Sequence, residues 1–128
     1  MAYTNPQYQT YTFPAHDFGA GAAAVSFKGP LGKDGRLEDI TVHATETFTN
    51  VTLPAYVRIG TASDADAYAQ ADLGVTAATD TFVATQDDVN AIISDALPAD
   101  TQIEVAFVAC TGGTPAGIGT VSITVAWI

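Results

Sequence analysis

Few residues in this sequence have side chains suited to catalysis. The 128 residues include two histidines, His16 and His43, and one cysteine, Cys110. His43 lies among threonines on the predicted polar face of a strand, and Cys110 ends an apolar strand, where a thiol usually packs as a small hydrophobe. No Gly-x-Ser-x-Gly, phosphate-binding loop, His-Glu-x-x-His or Cys-x-x-Cys pattern is present. The sequence therefore predicts a protein that is not an enzyme.

Two pairs of acids, Asp64 with Asp66 and Asp87 with Asp88, are of the residue type that binds Ca²⁺. Neither pair is part of the longer series of ligands, with a glycine and a terminal glutamate, that an EF-hand loop needs. We expect loop solvation and helix capping to explain these acids, and whether either pair holds a cation stays open. The glycine-rich segment 112–119 lies between strands rather than before a helix, so no dinucleotide cofactor is predicted.

The charge of the chain excludes two classes of partner. Fourteen acids against four bases give a net charge of −10, which opposes binding to nucleic acid or to anionic lipid. From Ile59 to Ile128 there are nine acids and no base, so contact with an acidic partner is expected to use residues 28–36. No apolar run reaches the length of a membrane helix, and we expect a soluble chain made in the cytoplasm.

The elements that position these residues are mostly strands. Residues 36–47 and 56–60 have the composition of strands, and residues 103–110 and 121–128 alternate in hydrophobicity and are joined by a glycine-rich loop, which predicts an antiparallel hairpin. Helical spacing of apolar residues before Pro98 predicts one short helix built on Val89, Ile92, Ile93, Ala96 and Leu97. The fold class is therefore all-β, an antiparallel β-sandwich or jelly roll with one short helix.

The first 20 residues form a predicted extended arm, followed by a single domain over residues 21–128. Five aromatic side chains in residues 1–20 alternate with polar residues and prolines without a regular period: Tyr3, Tyr8, Tyr11, Phe13 and Phe18. Aromatic rings in a polar terminus favour a segment that docks on another surface. The alternative is that the rings cover the domain's own sheet.

A family resemblance appears in the middle of the chain. Residues 32–40 (GKDGRLEDI), 45–48 (TETF) and 54–68 (PAYVRIGTASDADAY) resemble the capsid decoration, or cement, proteins of tailed bacteriophages. The resemblance covers about residues 25–75, and the C-terminal strands are compatible with it. It implies a jelly-roll-like fold without cofactor or catalytic residues, on the outer surface of the virion. It also implies a dimer or trimer that clamps adjacent subunits of the major capsid protein.

The resemblance suggests which residues make contact. Our hypothesis is that the arm and the Gly/Pro loop touch the capsid or a sister subunit through Tyr3, Tyr8, Tyr11, Phe13, Lys28, Lys33 and Arg36. Segment 28–58, which holds every base, is expected to face the shell, with the acidic loops in solvent. Two alternatives remain: a tail or head-fibre base protein, and a carbohydrate-binding β-sandwich that stacks sugars on Tyr56, Tyr68 or Trp127. For Trp127 the alternation of its strand favours a place in the core.

Overall fold

The chain forms β-strands and no helix over the residues that the computed structural model describes, which are 6–49, 52–85 and 91–128. None of these residues belongs to a helix able to cross a lipid bilayer. The strands are β1 (Gln7–Thr12), β2 (His16–Asp17), β3 (Ala23–Phe27), β4 (Gly35–Glu46), β5 (Tyr56–Gly60), β6 (Ala69–Asp72), β7 (Thr81–Thr85), β8 (Ala96–Leu97), β9 (Ile103–Val108) and β10 (Ile118–Trp127). The strands expected within residues 36–47 and 56–60 are confirmed as β4 and β5.

Two antiparallel sheets enclose one buried apolar cluster. The first sheet has the order β1-β10-β4-β7, with β2 also paired to β10 and β8 also paired to β4. The second sheet has the order β3-β9-β5-β6. Buried side chains from both sheets, including Leu37, Val57, Val105 and Ile123, belong to the same cluster. The all-β class and the antiparallel sandwich are therefore confirmed.

The pairing of the longer strands is nested. When the two-residue strands β2 and β8 are set aside, β1 pairs with β10, β3 with β9, β4 with β7 and β5 with β6. Two further pairings, β10 with β4 and β9 with β5, join these ribbons into the sheets. The chain consequently passes from one sheet to the other at most of its connections, and residues distant in sequence meet at the ends of the sandwich.

The predicted C-terminal hairpin is wrong, although both of its strands exist. β9 belongs to the second sheet and β10 to the first, so residues 109–117 arch from one sheet to the other. Alternating burial shows that each strand has one face toward the core, and it holds equally for two strands in one sheet and for two strands facing each other across a sandwich. The sequence pattern could not distinguish these arrangements.

The predicted short helix is also wrong within the described residues. Ala91 lies in a turn, Ile92 bridges to Ala69 of β6, and Ala96–Leu97 form β8 against β4. Apolar side chains here do not share one face, because Ile92 and Leu97 are buried while Ile93 is exposed. Val89, with Asp87 and Asp88, falls outside the described residues. Residues 91–97 close the side of the sandwich between β6 and β4. The backbone groups of these residues form hydrogen bonds there without a helix.

Residues 7–18, predicted as part of the arm, pack on the domain itself. β1 pairs along its whole length with β10, and the Phe18 side chain is fully buried. Phe13 donates its backbone N–H to the carbonyl of Val121. These residues follow the alternative in which the aromatic rings cover the chain's own sheet, because pairing with β10 satisfies the backbone that an extended arm would leave to water.

A β-bulge in β4 explains an irregular stretch of the sequence. Leu37 and Ile40 are three residues apart, yet both are fully buried, whereas a regular strand would turn them to opposite faces. The ladder pairs Leu37 with Val125 and Asp39 with Thr124, so Glu38 is the extra residue. The bulge lets both apolar side chains reach the core and leaves Arg36 and Asp39 on the outer face.

Candidate docking surface

A sharp turn exposes a leucine at one end of the sandwich. Residues 28–34, called here the Leu31 loop, join β3 to β4, and the N–H of Lys33 donates to the carbonyl of Pro30 at 3.2 Å. Gly32 has a φ of 73°, the left-handed value that the third residue of such a turn requires and that glycine adopts without a steric cost. Leu31, at the tip, is 90% exposed.

The Leu31 loop is anchored on both sides. The N–H of Gly32 donates to Oδ1 of Asp100 at 2.8 Å, and Oδ1 of Asp34 accepts from the N–H of Ala99 at 3.0 Å. The carbonyl of Asp34 also accepts from the N–H of Ile128 at 2.8 Å. Because several hydrogen bonds fix the turn, Leu31 is presented in one position. A partner that covers it need not pay to order the loop.

The Trp127 indole forms the floor of the loop. A Cβ atom at Gly29 would overlap the indole ring, and one at Gly35 would lie 2.6 Å from its Cζ3 atom, so both positions need glycine. Trp127 is 2% exposed, and its Nε1 donates to the hydroxyl of Tyr11 at 3.2 Å. The Tyr11 ring stacks on Phe27 with a centroid distance of 4.3 Å. The core position predicted for Trp127 is confirmed.

Two of the residues predicted to make contact lie in one row across the first sheet. Tyr8 of β1 is opposite Ala126 of β10, and Ala126 is opposite Arg36 of β4, which is in turn opposite Ala96. Tyr8 is 64% exposed, and Nη2 of Arg36 forms an ion pair with Oε1 of Glu38 at 2.9 Å. The row lies at the same end of the sandwich as the Leu31 loop. The tip of the loop and the row therefore border one surface.

The other predicted contact residues have different positions. Tyr11 and Phe13 are half-buried and pack on the core, Phe13 against Phe107 with a centroid distance of 6.3 Å. Lys28 is exposed and Lys33 half-buried, and within the part of the chain that the structure describes neither forms an ion pair. Tyr3 lies outside the described residues. The contact roles of all these side chains stay predictions.

Leu31 is the residue that the sequence analysis missed. It is a single apolar residue in a loop of glycine, proline, lysine and aspartate, where no periodic pattern singles it out. The available signal was the order Pro30-Leu31-Gly32, which places the leucine at the second position of a turn, where its side chain points outward. In the described chain Leu31 is the most exposed of the large hydrophobic residues.

Three of the four bases lie at one end of the sandwich, and the fourth lies on a sheet face. Lys28 and Lys33 are in the Leu31 loop, and Arg36 is the second residue of β4 on the outer face of the first sheet. Arg58 alternates with buried Val57 and Ile59 and therefore lies on the outer face of the second sheet. Segment 28–58 thus crosses both sheets, and the expectation that it faces the shell stays a prediction.

At the opposite end of the sandwich the acids serve the backbone. Oδ1 of Asp17 accepts from the N–H groups of Gly19 and Ala20, and Oδ1 of Asp72 accepts from that of Gly74 at 2.8 Å. Oε1 of Glu46 accepts from the N–H of Gly117 at 3.0 Å. Aspartates commonly hold turns in this way. These acids therefore have roles in local structure.

The two histidines and the cysteine each have local structural partners. His16 packs against Phe18 and Phe107 and hydrogen-bonds the carbonyl of Gly21 at 2.8 Å. His43 lies on the outer face of the first sheet, with Nδ1 3.1 Å from Oγ1 of Thr81. Cys110 is buried, as predicted, with its S–H directed to backbone carbonyls. In residues 6–49, 52–85 and 91–128 no three potential metal ligands cluster.

The outer face of the first sheet is polar and regular. Across paired strands, Thr10 faces Thr124 with their hydroxyl oxygens 3.0 Å apart, and Thr12 faces Ser122 at the same distance.

Of the aromatic residues predicted to stack on sugars, Trp127 is buried, Tyr68 packs against the core, and Tyr56 is half-buried on the outer face of the second sheet. Burial removes Trp127 from this role, and sugar stacking on Tyr56 or Tyr68 stays a prediction.

Comparison with known proteins gives a likeness in structure. No protein-family model and no curated protein matches this sequence. A solved structure described as the cyanophage Pam1 capsid asymmetric unit contains a chain that is similar over 98% of this chain and 91% of its own length. The TM-score is 0.43 and the sequence identity is 14%.

Proposed function

We propose that this protein is a structural virion protein of a tailed bacteriophage, a decoration or cement protein that binds the outside of the capsid and clamps adjacent subunits of the major capsid protein. It is made in the host cytoplasm and carries no enzymatic activity. The observation that carries the proposal is the Leu31 loop, which holds an exposed apolar side chain in a fixed position beside two lysines that form no ion pair with the described residues. The sequence resemblance of residues 25–75 supplies the class of partner.

The strand order supports the proposal at the level of fold. Eight principal strands form two four-stranded sheets with nested pairing, from β1 with β10 to β5 with β6. We infer that this arrangement is a jelly roll, the double-sheet architecture that viral capsid and lectin domains share. A fold alone does not assign a function, so the surface must distinguish these classes.

The surface favours protein docking over sugar binding. Leu31 is 90% exposed, Tyr8 is 64% exposed, and Ile128, at the same end, is 49% exposed. Anchored apolar side chains with basic residues at the border suit a protein surface that offers an apolar pocket and an acidic rim. Repeated copies on a symmetric shell would add avidity to a modest contact at each site.

The test is the occupancy of purified shells that lack this protein. Leu31→Ser should weaken binding, because burial of a leucine side chain stabilises a complex by about 1.5–3 kcal/mol, or about ten- to a hundredfold in Kd. The matched control is Leu53→Ser, which changes the same residue type, 53% exposed, at the opposite end of the sandwich. Equal binding by the two variants would refute the role of the Leu31 loop, and a wild-type protein that does not bind shells would refute the proposal.

The basic residues are tested separately. Replacing Lys33 and Arg36 together by Ser should weaken binding and flatten its dependence on salt, since screening acts on the charges removed. Deleting residues 2–14 is a poor test of the arm, because it removes β1 and with it the cover of Trp127. Tyr8→Ser changes only the exposed side chain. Binding to phage tails, or to the base of head fibres, rather than to the capsid shell would instead favour the tail or head-fibre base protein.

A further inference from the structure

Arg58 is held in position on the outer face of the second sheet. Its Nε donates to Oε1 of Gln70 at 3.0 Å, and its guanidinium carbon lies 5.5 Å from the centre of the Tyr56 ring. The side chain is half-buried, and among the described residues it forms no ion pair. A partly buried guanidinium that is oriented but lacks a counter-ion is suited to accept a carboxylate from outside the chain.

The same face also carries an acid without a partner. Glu104 of β9 alternates with buried Ile103 and Val105, so its side chain lies on the outer face. In the ladder Glu104 is opposite Gly60, two residues along β5 from Arg58. The Glu104 carboxylate takes part in no hydrogen bond or ion pair with the described residues. One face of this sheet therefore offers an unpaired base and an unpaired acid side by side.

Small side chains in the row beside Arg58 permit close approach. Arg58 is opposite Ala106 of β9, and Ala106 is opposite Ala24 of β3, so the row beside Arg58 ends in two alanines. The loop after Gly60 folds back against that glycine, where an added Cβ atom would overlap the backbone of Asp64 and Ala65. The face is thus bounded on one side by a loop and is open along the alanine row.

We propose that the outer face of the second sheet is a contact between two copies of this chain, in which Arg58 of each copy pairs with Glu104 of the other. A face that carries both members of an ion pair is self-complementary. A two-fold axis between two copies forms the ion pair twice, once on each side of the axis. A second copy is favoured over a different partner because this face itself supplies both the base and the acid that the contact requires. The contact uses residues other than those proposed for shell binding, although Glu104, opposite Ser26 of β3, lies at the same end of the sandwich as the Leu31 loop.

The test measures the mass of the purified full-length protein by sedimentation over a concentration series, without shells. Wild-type protein should form a dimer, whereas Arg58→Glu and Glu104→Arg should each raise the dimer Kd about tenfold or more, because like charges then face each other. The double variant, with both charges exchanged, should restore the dimer. Asp39→Arg makes the same change of charge as Glu104→Arg on the outer face of the first sheet and should leave the dimer intact.

Each outcome bears on the proposal. A monomeric wild type overturns it, and so does a dimer that Arg58→Glu leaves unchanged. Loss of the dimer in both single variants without recovery in the double variant also overturns the pairing of Arg58 with Glu104. Circular dichroism spectra that match the wild type show that a variant has not simply unfolded. Shell occupancy is measured separately, so failure of the dimer does not count against the proposed function.

Discussion

Gly35 can be tested as the residue that makes room for Trp127 beneath the Leu31 loop. In Gly35→Ala the new methyl group would lie 2.6 Å and 2.8 Å from Cζ3 and Cε3 of the indole, and 2.9 Å from Cγ1 of Val125. Overpacking of this kind costs about 1–3 kcal/mol. Because ladder neighbours hold Trp127 on both sides, the ring has little room to move away, and we expect about 2 kcal/mol of lost stability.

Trp127→Phe supplies the second arm of a double-mutant cycle. Phenylalanine lacks the indole atoms closest to residue 35, and it also loses the Nε1 hydrogen bond to Tyr11. We expect this change alone to cost about 2 kcal/mol, from a cavity and a lost hydrogen bond. In its presence Gly35→Ala should cost at least about 1 kcal/mol less, with the contact to Val125 remaining.

The assay is unfolding by denaturant, followed by far-ultraviolet circular dichroism because Trp127 is the single tryptophan of the chain and fluorescence would be lost. A control cycle pairs Trp127→Phe with Gly119→Ala, whose Cβ would lie 2.8 Å from Cγ1 of Val42 and away from the indole. The control should be additive within about 0.5 kcal/mol. If the Gly35 cycle were equally additive, the steric account of this glycine would be refuted.

Two further predictions concern the same end of the sandwich. Burial raises the pKa of Tyr11 above its ordinary value of 10.0, and the hydrogen bond from Trp127 partly offsets this rise. The hydroxyl therefore contributes stability that is lost as pH rises above 10. Tyr11→Phe should flatten the alkaline decline in the free energy of unfolding, and an unchanged decline would contradict the assignment. Asp100→Ala removes the acceptor of the Gly32 N–H and should cost about 1 kcal/mol, with faster hydrogen exchange at that amide, and unaltered exchange would show that the loop does not depend on Asp100.

Local patterns were sufficient to predict several strands. Alternation around Val57 and Ile59, Val105 and Phe107, or Val121 and Ile123 corresponds to observed strands, because a half-buried strand imposes a period of two on its own sequence. The same reasoning failed for residues 91–97, whose backbone pairs with strands of both sheets. Tertiary contacts there outweigh the helical spacing.

The candidate surface was predicted only in part. Tyr8 and Arg36 are 28 residues apart and meet in one row because β10 lies between their strands, which no local pattern reveals. Arg58 was grouped with the other bases by position in the sequence, yet it lies on the outer face of the other sheet. Leu31 has an ordinary loop context, and only the hydrogen bonds that Asp100 and Asp34 accept show that it is held in place.

By itself the sequence determined several of the strands, the core position of Trp127 and the confinement of every base to residues 28–58, because these depend on residue type and local period. Only the tertiary structure decided which strands pair, so that β9 and β10 face each other across the core instead of forming a hairpin. Alternation marks a buried face and carries no information about the partner of the backbone hydrogen bonds. The positions of the charges and of Leu31 on the surface follow from that pairing.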